Sequence, residues 1–258
     1  MSIATFPPVA RPRDSAWAGQ PGQPLPATAE LIEASLRRVR VHSRASNQPV
    51  VIEYLPPVLR LVGYGTDAVV VQHPALPGHV FKIFTPETEA LVADEYAAYQ
   101  RLAGSPLFTS CVGRGEFFLV LTYEPGPTLY ECLVDGLVVD PVVLEDVEAA
   151  RGYARAVGLH PKDIHLKNVV VQDGRGKVLD VSKYVLPGDE DRVWEHLAEG
   201  YRRFYPLIRG RRIPVGVIEL AKRIYRAQAP EDFSLDAFAG RMLRILRTVR
   251  LAGGSRAA

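Results

Sequence analysis

The 258 residues can bury a full core, in one domain or two small lobes, and 47% hydrophobic against 23% charged is an ordinary globular balance. Lys and Arg number 31 and Asp and Glu 29, so the net charge of +2 gives no overall polyanion-binding character. Two cysteines, Cys111 and Cys132, argue against a disulfide scaffold or a zinc site. No run reaches the ~18 apolar residues of a membrane span, and the N-terminus lacks the charged-then-apolar order of a secretory signal; a cytoplasmic protein with no membrane partner is expected.

Residues 1–29 hold Pro7, Pro8, Pro12, Pro21, Pro24 and Pro26 with Gly19 and Gly22. Proline fixes φ and removes a donor, so a flexible tail is expected, with Trp17 able to anchor it as a strap. A short helix or strand begins within 29–43. Val39, Val41 and residues 49–55 read as a β-hairpin turning at Ser46-Asn47-Gln48, and Pro56-Pro57 ends it.

Val58-Leu59-Arg60-Leu61-Val62-Gly63-Tyr64-Gly65-Thr66-Asp67-Ala68-Val69-Val70-Val71 reads as strand, glycine turn, strand. A G-x-G alone is usually just a turn. After Ala75-Leu76-Pro77-Gly78 comes a third strand, His79-Val80-Phe81-Lys82-Ile83-Phe84. Alternation puts Lys82 on one face with Val80 and Phe84, and a buried lysine needs a partner. Thr85-Pro86-Glu87 opens a helix running to about Leu102 and stopped by Gly104. Its apolar side is marked by Leu91, Tyr96, Tyr99 and Leu102. Glu95 lies in that pattern; Glu89 and Asp94 are its rivals as an acidic partner. Two more strands are expected over 108–115 and 116–123. The Pro and Gly of Thr122-Tyr123-Glu124-Pro125-Gly126-Pro127 suit a hinge, so the boundary between an N-lobe (30–124) and a C-lobe (125–258) falls here.

Thr128, with Glu131 three residues on, caps a short helix, and Asp140-Pro141 opens a longer one to Val157, stopped by Gly158. Next comes His160-Pro161-Lys162-Asp163-Ile164-His165-Leu166-Lys167-Asn168, then Val169-Val170-Val171, a turn at Asp173-Gly174-Arg175-Gly176, and Lys177-Val178-Leu179-Asp180. One carboxylate and one carboxamide enter a hairpin and a second carboxylate leaves it. Such a set suits divalent metal held against phosphate, with a carboxylate facing an incoming hydroxyl. Helical spacing resumes over 191–205, near 215–228 and over 235–251. From residue 201 to 258 there are 13 Lys and Arg against 4 acids. A solvated basic face is the plain reading, and an acidic or RNA partner at these helices the sharper one.

The stretch 160–168 resembles the catalytic loop of protein kinases and related kinase-fold phosphotransferases, H-R-D-x-x-x-x-N, on His160, Asp163 and Asn168. Asp180-Val181-Ser182 falls where that family has D-F-G. His165 stands where protein kinases usually carry Lys, which is closer to the aminoglycoside-type branch. Val181 and Ser182 replace Phe and Gly, Ala68 replaces the third loop glycine, and no A-P-E occurs. The resemblance covers roughly 58–205 and points to a compact bacterial serine/threonine-kinase-like or RIO-like kinase.

The fold it implies is α+β and two-lobed, an antiparallel sheet plus one helix followed by a mostly helical lobe. It implies ATP and Mg²⁺ as cofactors. Lys82 would contact the α- and β-phosphates, Glu95 would orient Lys82, and Gly63 and Gly65 would cover phosphates. The hinge backbone at Glu124 would meet adenine. Asp163 would hold the acceptor hydroxyl, and Asn168 and Asp180 would hold Mg²⁺. His165 either approaches the phosphates or packs to shape the loop. The leading reading is a serine/threonine-kinase-like phosphotransferase without a long activation segment. A nucleotide-binding pseudokinase scaffold and an aminoglycoside-type small-molecule phosphotransferase are the alternatives. The phosphoacceptor, protein or small molecule, is not named by the sequence.

Overall fold

The elements were located in a computed structural model that describes residues 26–44, 48–188, 192–227 and 233–253. By its internal contacts the chain divides into two units, Met1–Ala103 with Ser110–Tyr123, and Gly104–Thr109 with Glu124–Ala258.

In the first unit, β-branched and aromatic runs form β3 (Arg60–Tyr64), β4 (Ala68–Gln72), β5 (His79–Phe84), β6 (Cys111–Arg114) and β7 (Phe118–Thr122). They make an antiparallel sheet in the order β3-β4-β5-β7-β6, with β5 at its centre. Period-two alternation sends Val69, Val71, Phe81, Ile83, Phe118 and Val120 to one face. There they pack with Ala29, Ile32 and Leu36 of α1 (Pro26–Leu36) and Val41 of β1 (Arg40–His42), which pairs with β2 (Val51–Tyr54). The other face carries Val80, Lys82, Phe84, Leu119 and Leu121, all buried, and meets α2 (Leu91–Leu102).

Three expectations change here. The helix α1 starts at Pro26, so residues 26–29 belong to a packed element and not to the proline-rich tail; Ala29 is buried in the core. Residues 1–25, Trp17 among them, lie outside the described residues, as do Ser46 and Asn47 of the expected hairpin turn. The helix α2 begins at Leu91, not at residues 85–87. The Thr88 hydroxyl bonds the Asp67 carbonyl at 2.6 Å, and residues 88, 91 and 92 close i to i−3 turns instead of helical ones. Its inward face is Val92, Glu95, Ala98, Tyr99 and Leu102, so Leu91 and Tyr96 lie at the margin. The hairpin of β6 and β7 is shorter than expected because Gly115 donates to Phe118 across its turn, while Phe108 bridges Val178 in the second unit.

The second unit opens with α3 (Leu129–Asp135). Thr128 and Glu131 form a full capping box, and Gly136 ends the helix at φ 70°. In α4 (Val142–Ala156) the first amide donates to Asp140 at 3.0 Å. The hairpin of β8 (Val169–Gln172) and β9 (Arg175–Val178) turns at Asp173 and Gly174, with φ of 50° and 77°. Positive φ at both central residues is the type I′ signature that fits strand twist. Helix α4 lies on β9 so closely that a Cβ at Gly176 would sit 2.8 Å from the Val143 carbonyl. Buried Asp146 fixes this contact by accepting from Gly176 N–H at 2.8 Å and Arg175 Nε at 2.8 Å. The Arg175 guanidinium holds the Asp146 carboxyl below its ordinary pKa.

Helices α5 (Val193–Ile208), α6 (Val215–Arg226) and α7 (Leu235–Gly253) complete the unit. On α5, Tyr205 accepts from Val139 N–H at 2.8 Å and Tyr201 donates to Val139 O at 2.7 Å, anchoring the loop before α4. Among the described residues no helix is long and apolar enough to cross a membrane. The architecture is α+β, an antiparallel sheet with helices followed by a mostly helical unit, with α1 additional to the single helix expected beside the sheet.

The core position of α1 makes a direct prediction. Ile32→Ala should lower unfolding stability by about 2–5 kcal/mol, the range for emptying a buried aliphatic site. Leu31→Ala, on the same helix but 60% exposed, should stay within about 0.5 kcal/mol. Denaturant unfolding of both variants checks this; equal effects would place α1 outside the core.

Candidate active site

In the first unit the site residues converge on β5. Lys82 lies in register between Val70 and Leu119 on the central strand, so its stem is enclosed by neighbouring strands. Its ammonium donates to both oxygens of Glu95, at 2.7 and 2.8 Å. The two side chains are 9% and 1% exposed. The rivals Glu89 and Asp94 are exposed. Helical spacing chooses between them: position 95 shares a face with Val92, Ala98 and Tyr99, whereas 94 is turned about 100° away. A buried ion pair is weak evidence for stability, because desolvating two charges offsets most of their attraction. Well-packed apolar residues would hold α2 to the sheet as well, so the pair points to a use beyond folding.

Gly63 lies in β3, paired with Val70 beside a register shift, and Gly65 lies in the β3–β4 turn. Neither has positive φ, and a Cβ added at either would meet no described heavy atom within 4 Å. Side-chain packing within this unit therefore gives no reason for glycine at either position. Ala68 is buried in β4 opposite Phe84, and its carbonyl closes the turn by accepting from Gly65 N–H at 2.9 Å.

In the second unit the loop between α4 and β8 carries the remaining residues. Asp163 takes φ 58°, a left-handed conformation uncommon for a residue with a side chain. The Asn168 amide holds it there, Nδ2 donating to the Asp163 carbonyl at 3.1 Å. Asn168 N–H bonds His165 O at 2.9 Å, and Leu179 N–H bonds Asn168 O at 2.8 Å. The last bond continues the β8–β9 register by one pair, setting Leu179 opposite Asn168 with Asp180 next along the chain. Asp180 is itself oriented by Ser182 N–H, which donates to Oδ1 at 2.9 Å.

His165 is half-buried, and its Nδ1 accepts from Lys167 N–H at 3.3 Å. Burial lowers its pKa; nearby Asp163 and Asp180 oppose this, and Lys222 of α6 adds to it. A ring whose Nδ1 accepts presents Nε2–H as a neutral donor. Glu124 is only 8% exposed and takes a 2.8 Å bond from Lys177 of β9. Its carboxylate is thus committed to the hairpin.

One contact has no forerunner in the sequence reading. Lys183 Nζ lies 2.6 Å from Asp163 Oδ2. The residues are twenty apart, with no periodicity linking them, and only the turn after Asp180 brings them together.

No family model matches the chain. It is similar to a protein of Bacillus subtilis (strain 168) named "Putative serine/threonine-protein kinase YrzF", with 33% identity over 150 residues, 56% of this chain and 68% of that protein. Among solved structures it is similar to two crystal structures of the Mycobacterium tuberculosis PknI kinase domain, a single and a double mutant. Both are 22% identical at a TM-score of 0.41. The shared parts are 51% of this chain and 62% of the first, and 55% of this chain and 70% of the second.

Removing one partner of the β5–α2 pair strands a buried charge. Lys82→Ala or Glu95→Ala alone should each lower stability by about 3–5 kcal/mol, whereas Lys82→Met with Glu95→Leu should recover most of it. Urea denaturation of the three variants measures this. A double variant as unstable as either single one would mean that the pair itself stabilises the fold.

Proposed function

The chain belongs to the protein kinase-like superfamily, and on that premise we propose that it is an ATP- and magnesium-dependent phosphotransferase of serine/threonine-kinase type. The observation that carries the reading is the constrained loop in which Asn168 holds Asp163 left-handed while its own carbonyl, bonded by Leu179 N–H, ties it to the strand end that leads into Asp180. Strain of this kind in a loop residue persists where surrounding structure over-determines it, and it gathers at functional sites.

The donor set fits the proposed groups. Asn168 and Asp180 offer hard oxygens, and Mg²⁺ commonly takes one or two such protein ligands and leaves the rest of its shell to water and phosphate. When bound, the ion would neutralise charge on the phosphates. Lys82, oriented by Glu95, would bind phosphate oxygens as a point charge. Gly63 and Gly65 would admit a phosphate close to the backbone, which gives their missing side chains a reason. The backbone at Glu124 would meet the adenine. Asp163 would hold and orient an acceptor hydroxyl, and neutral His165 would offer an Nε2–H donor near both carboxylates.

Residues 181–188 run as turns, with Val181 and Tyr184 fully buried, and α5 begins at Val193. This supports a kinase that works without a long activation segment; residues 189–191 lie outside the described residues. The acceptor would then be read elsewhere. Lys222, Arg223 and Arg226, exposed on α6, would suit an acidic one.

Wild-type protein should melt higher with ATP only when Mg²⁺ is present. Ligand at a hundredfold excess over Kd adds about 2.7 kcal/mol, several degrees in Tm. Asp180→Ala should abolish the rise. Asp163→Ala should keep it while lowering phosphate release from ATP by about 10²–10⁴-fold. A melting curve indifferent to MgATP would sink the phosphotransferase reading. Binding without turnover in the wild type would leave a nucleotide-binding scaffold.

A further inference from the structure

The loop that carries Asp163 has four basic side chains of its own, and its two lysines are engaged away from that carboxylate. Lys162 Nζ donates to the Pro187 carbonyl at 2.9 Å. Lys167 Nζ sits over the Tyr130 ring, 4.5 Å from its centroid. His165 is held neutral by burial. His160 contributes its backbone N–H to the Tyr184 carbonyl at 2.8 Å. The cation at Asp163 comes instead from Lys183.

The backbone around Lys183 is fixed on both sides. Val181 and Tyr184 are fully buried, Tyr184 N–H bonds Val181 O at 3.0 Å, and Ser182 N–H bonds Asp180. The side chain is a long flexible stem standing on that rigid base. The pair it makes is exposed, 44% for Lys183 and 38% for Asp163. Exposed pairs add little to stability, so folding does not account for it. An ammonium placed three residues after Asp180 and in contact with Asp163 lies within reach of whatever Asp163 and Asp180 hold between them.

We propose that Lys183 supplies the working cation of this site. Its ammonium holds the Asp163 carboxylate until an acceptor hydroxyl takes that place, and then hydrogen-bonds the phosphoryl group in transfer. This rests on the phosphotransferase reading above. In the transfer the acceptor oxygen bonds to the γ-phosphorus of ATP. The bond from that phosphorus to the bridging oxygen breaks, and its electron pair leaves with ADP. The acceptor proton passes to the Asp163 carboxylate. Lys183 keeps its protons throughout and gives only hydrogen bonds, so its effect falls on developing charge and not on ground-state nucleotide binding.

The test uses the full chain, ADP with Mg²⁺, and aluminium fluoride as the probe of the planar, charged phosphoryl group. Wild type and Lys183→Met should bind MgADP alike and melt alike. Aluminium fluoride should tighten MgADP binding in wild type, with about a hundredfold less tightening in Lys183→Met. Phosphate release from ATP should fall in parallel, and Lys183→Arg should recover most of both. Equal tightening in wild type and Lys183→Met overturns the inference alone. Loss of MgADP affinity or of Tm to match the lost turnover also overturns it, by making Lys183 a scaffold residue. Wild-type protein that binds no MgADP overturns the phosphotransferase reading, and this inference with it.

Discussion

One hydrogen bond sets the geometry of the second unit's loop: the Asn168 carboxamide donating to the carbonyl of Asp163. It spans five residues and keeps Asp163 left-handed, a conformation that carries its own energetic penalty of roughly 1–3 kcal/mol. The bond is effective because the Asn168 backbone is itself bonded on both sides. Its carbonyl is bonded by Leu179, and the hairpin that follows is closed by a type I′ turn at Asp173 and Gly174. Asp146, reaching from α4 to Gly176 and Arg175, ties that hairpin to the rest of the unit. The chain of constraint thus runs from a buried helix carboxylate through a two-residue turn to the left-handed Asp163.

The two lysine–carboxylate pairs, Lys82 with Glu95 and Lys183 with Asp163, differ in what surrounds them. The first is sealed between sheet and helix, and both glutamate oxygens are engaged. Its geometry is fixed, and losing either member leaves a buried charge. The second stands in solvent, where rotamer entropy and screening leave ~0–1 kcal/mol. A sealed pair holds a cation in one place, and an open pair can exchange partners. These are the physical properties wanted of a lysine that binds resting phosphates and of one that follows a phosphoryl group in motion, the roles proposed for them.

Much of this was legible in the sequence because it is local. The Thr128–Glu131 capping box, the Asp-Gly turn and the alternation of β5 are short-range signals, and each has a structural counterpart. Glu95 was distinguishable from Asp94 by helical phase alone. What failed was set by tertiary contacts. Thr85-Pro86-Glu87 has the composition of a helix start, but Thr88 bonds Asp67 twenty-one residues back, and the helix begins later. The first turn of α1 was hidden by prolines that speak for an irregular chain, while Ala29 and Ile32 are drawn into the core beneath the sheet. Lys183 carried no local signal at all, since its partner lies on another loop.

The segment after Asp180 shows how departures from a family pattern can leave geometry intact. Ser182 stands where the resemblance has glycine, yet the group that orients Asp180 at this position is a backbone N–H, which serine supplies equally well. Val181 replaces a larger aromatic and is fully buried, and Tyr184, also fully buried, stacks edge-on to Phe108 at 6.3 Å. Aromatic packing next to the site is thus present three residues further along the chain. The Tyr184 carbonyl also accepts from His160, at the start of the loop that carries Asp163. Anchored at Val181 and Tyr184, this segment has little freedom to refold around an added charge. A phosphate on Ser182 would bring about −1.5 to −2 charge beside Asp180 with no slack to move it away. It would oppose the aspartate as a metal ligand and draw Lys183 off Asp163, so modification here would work against the proposed chemistry on both counts.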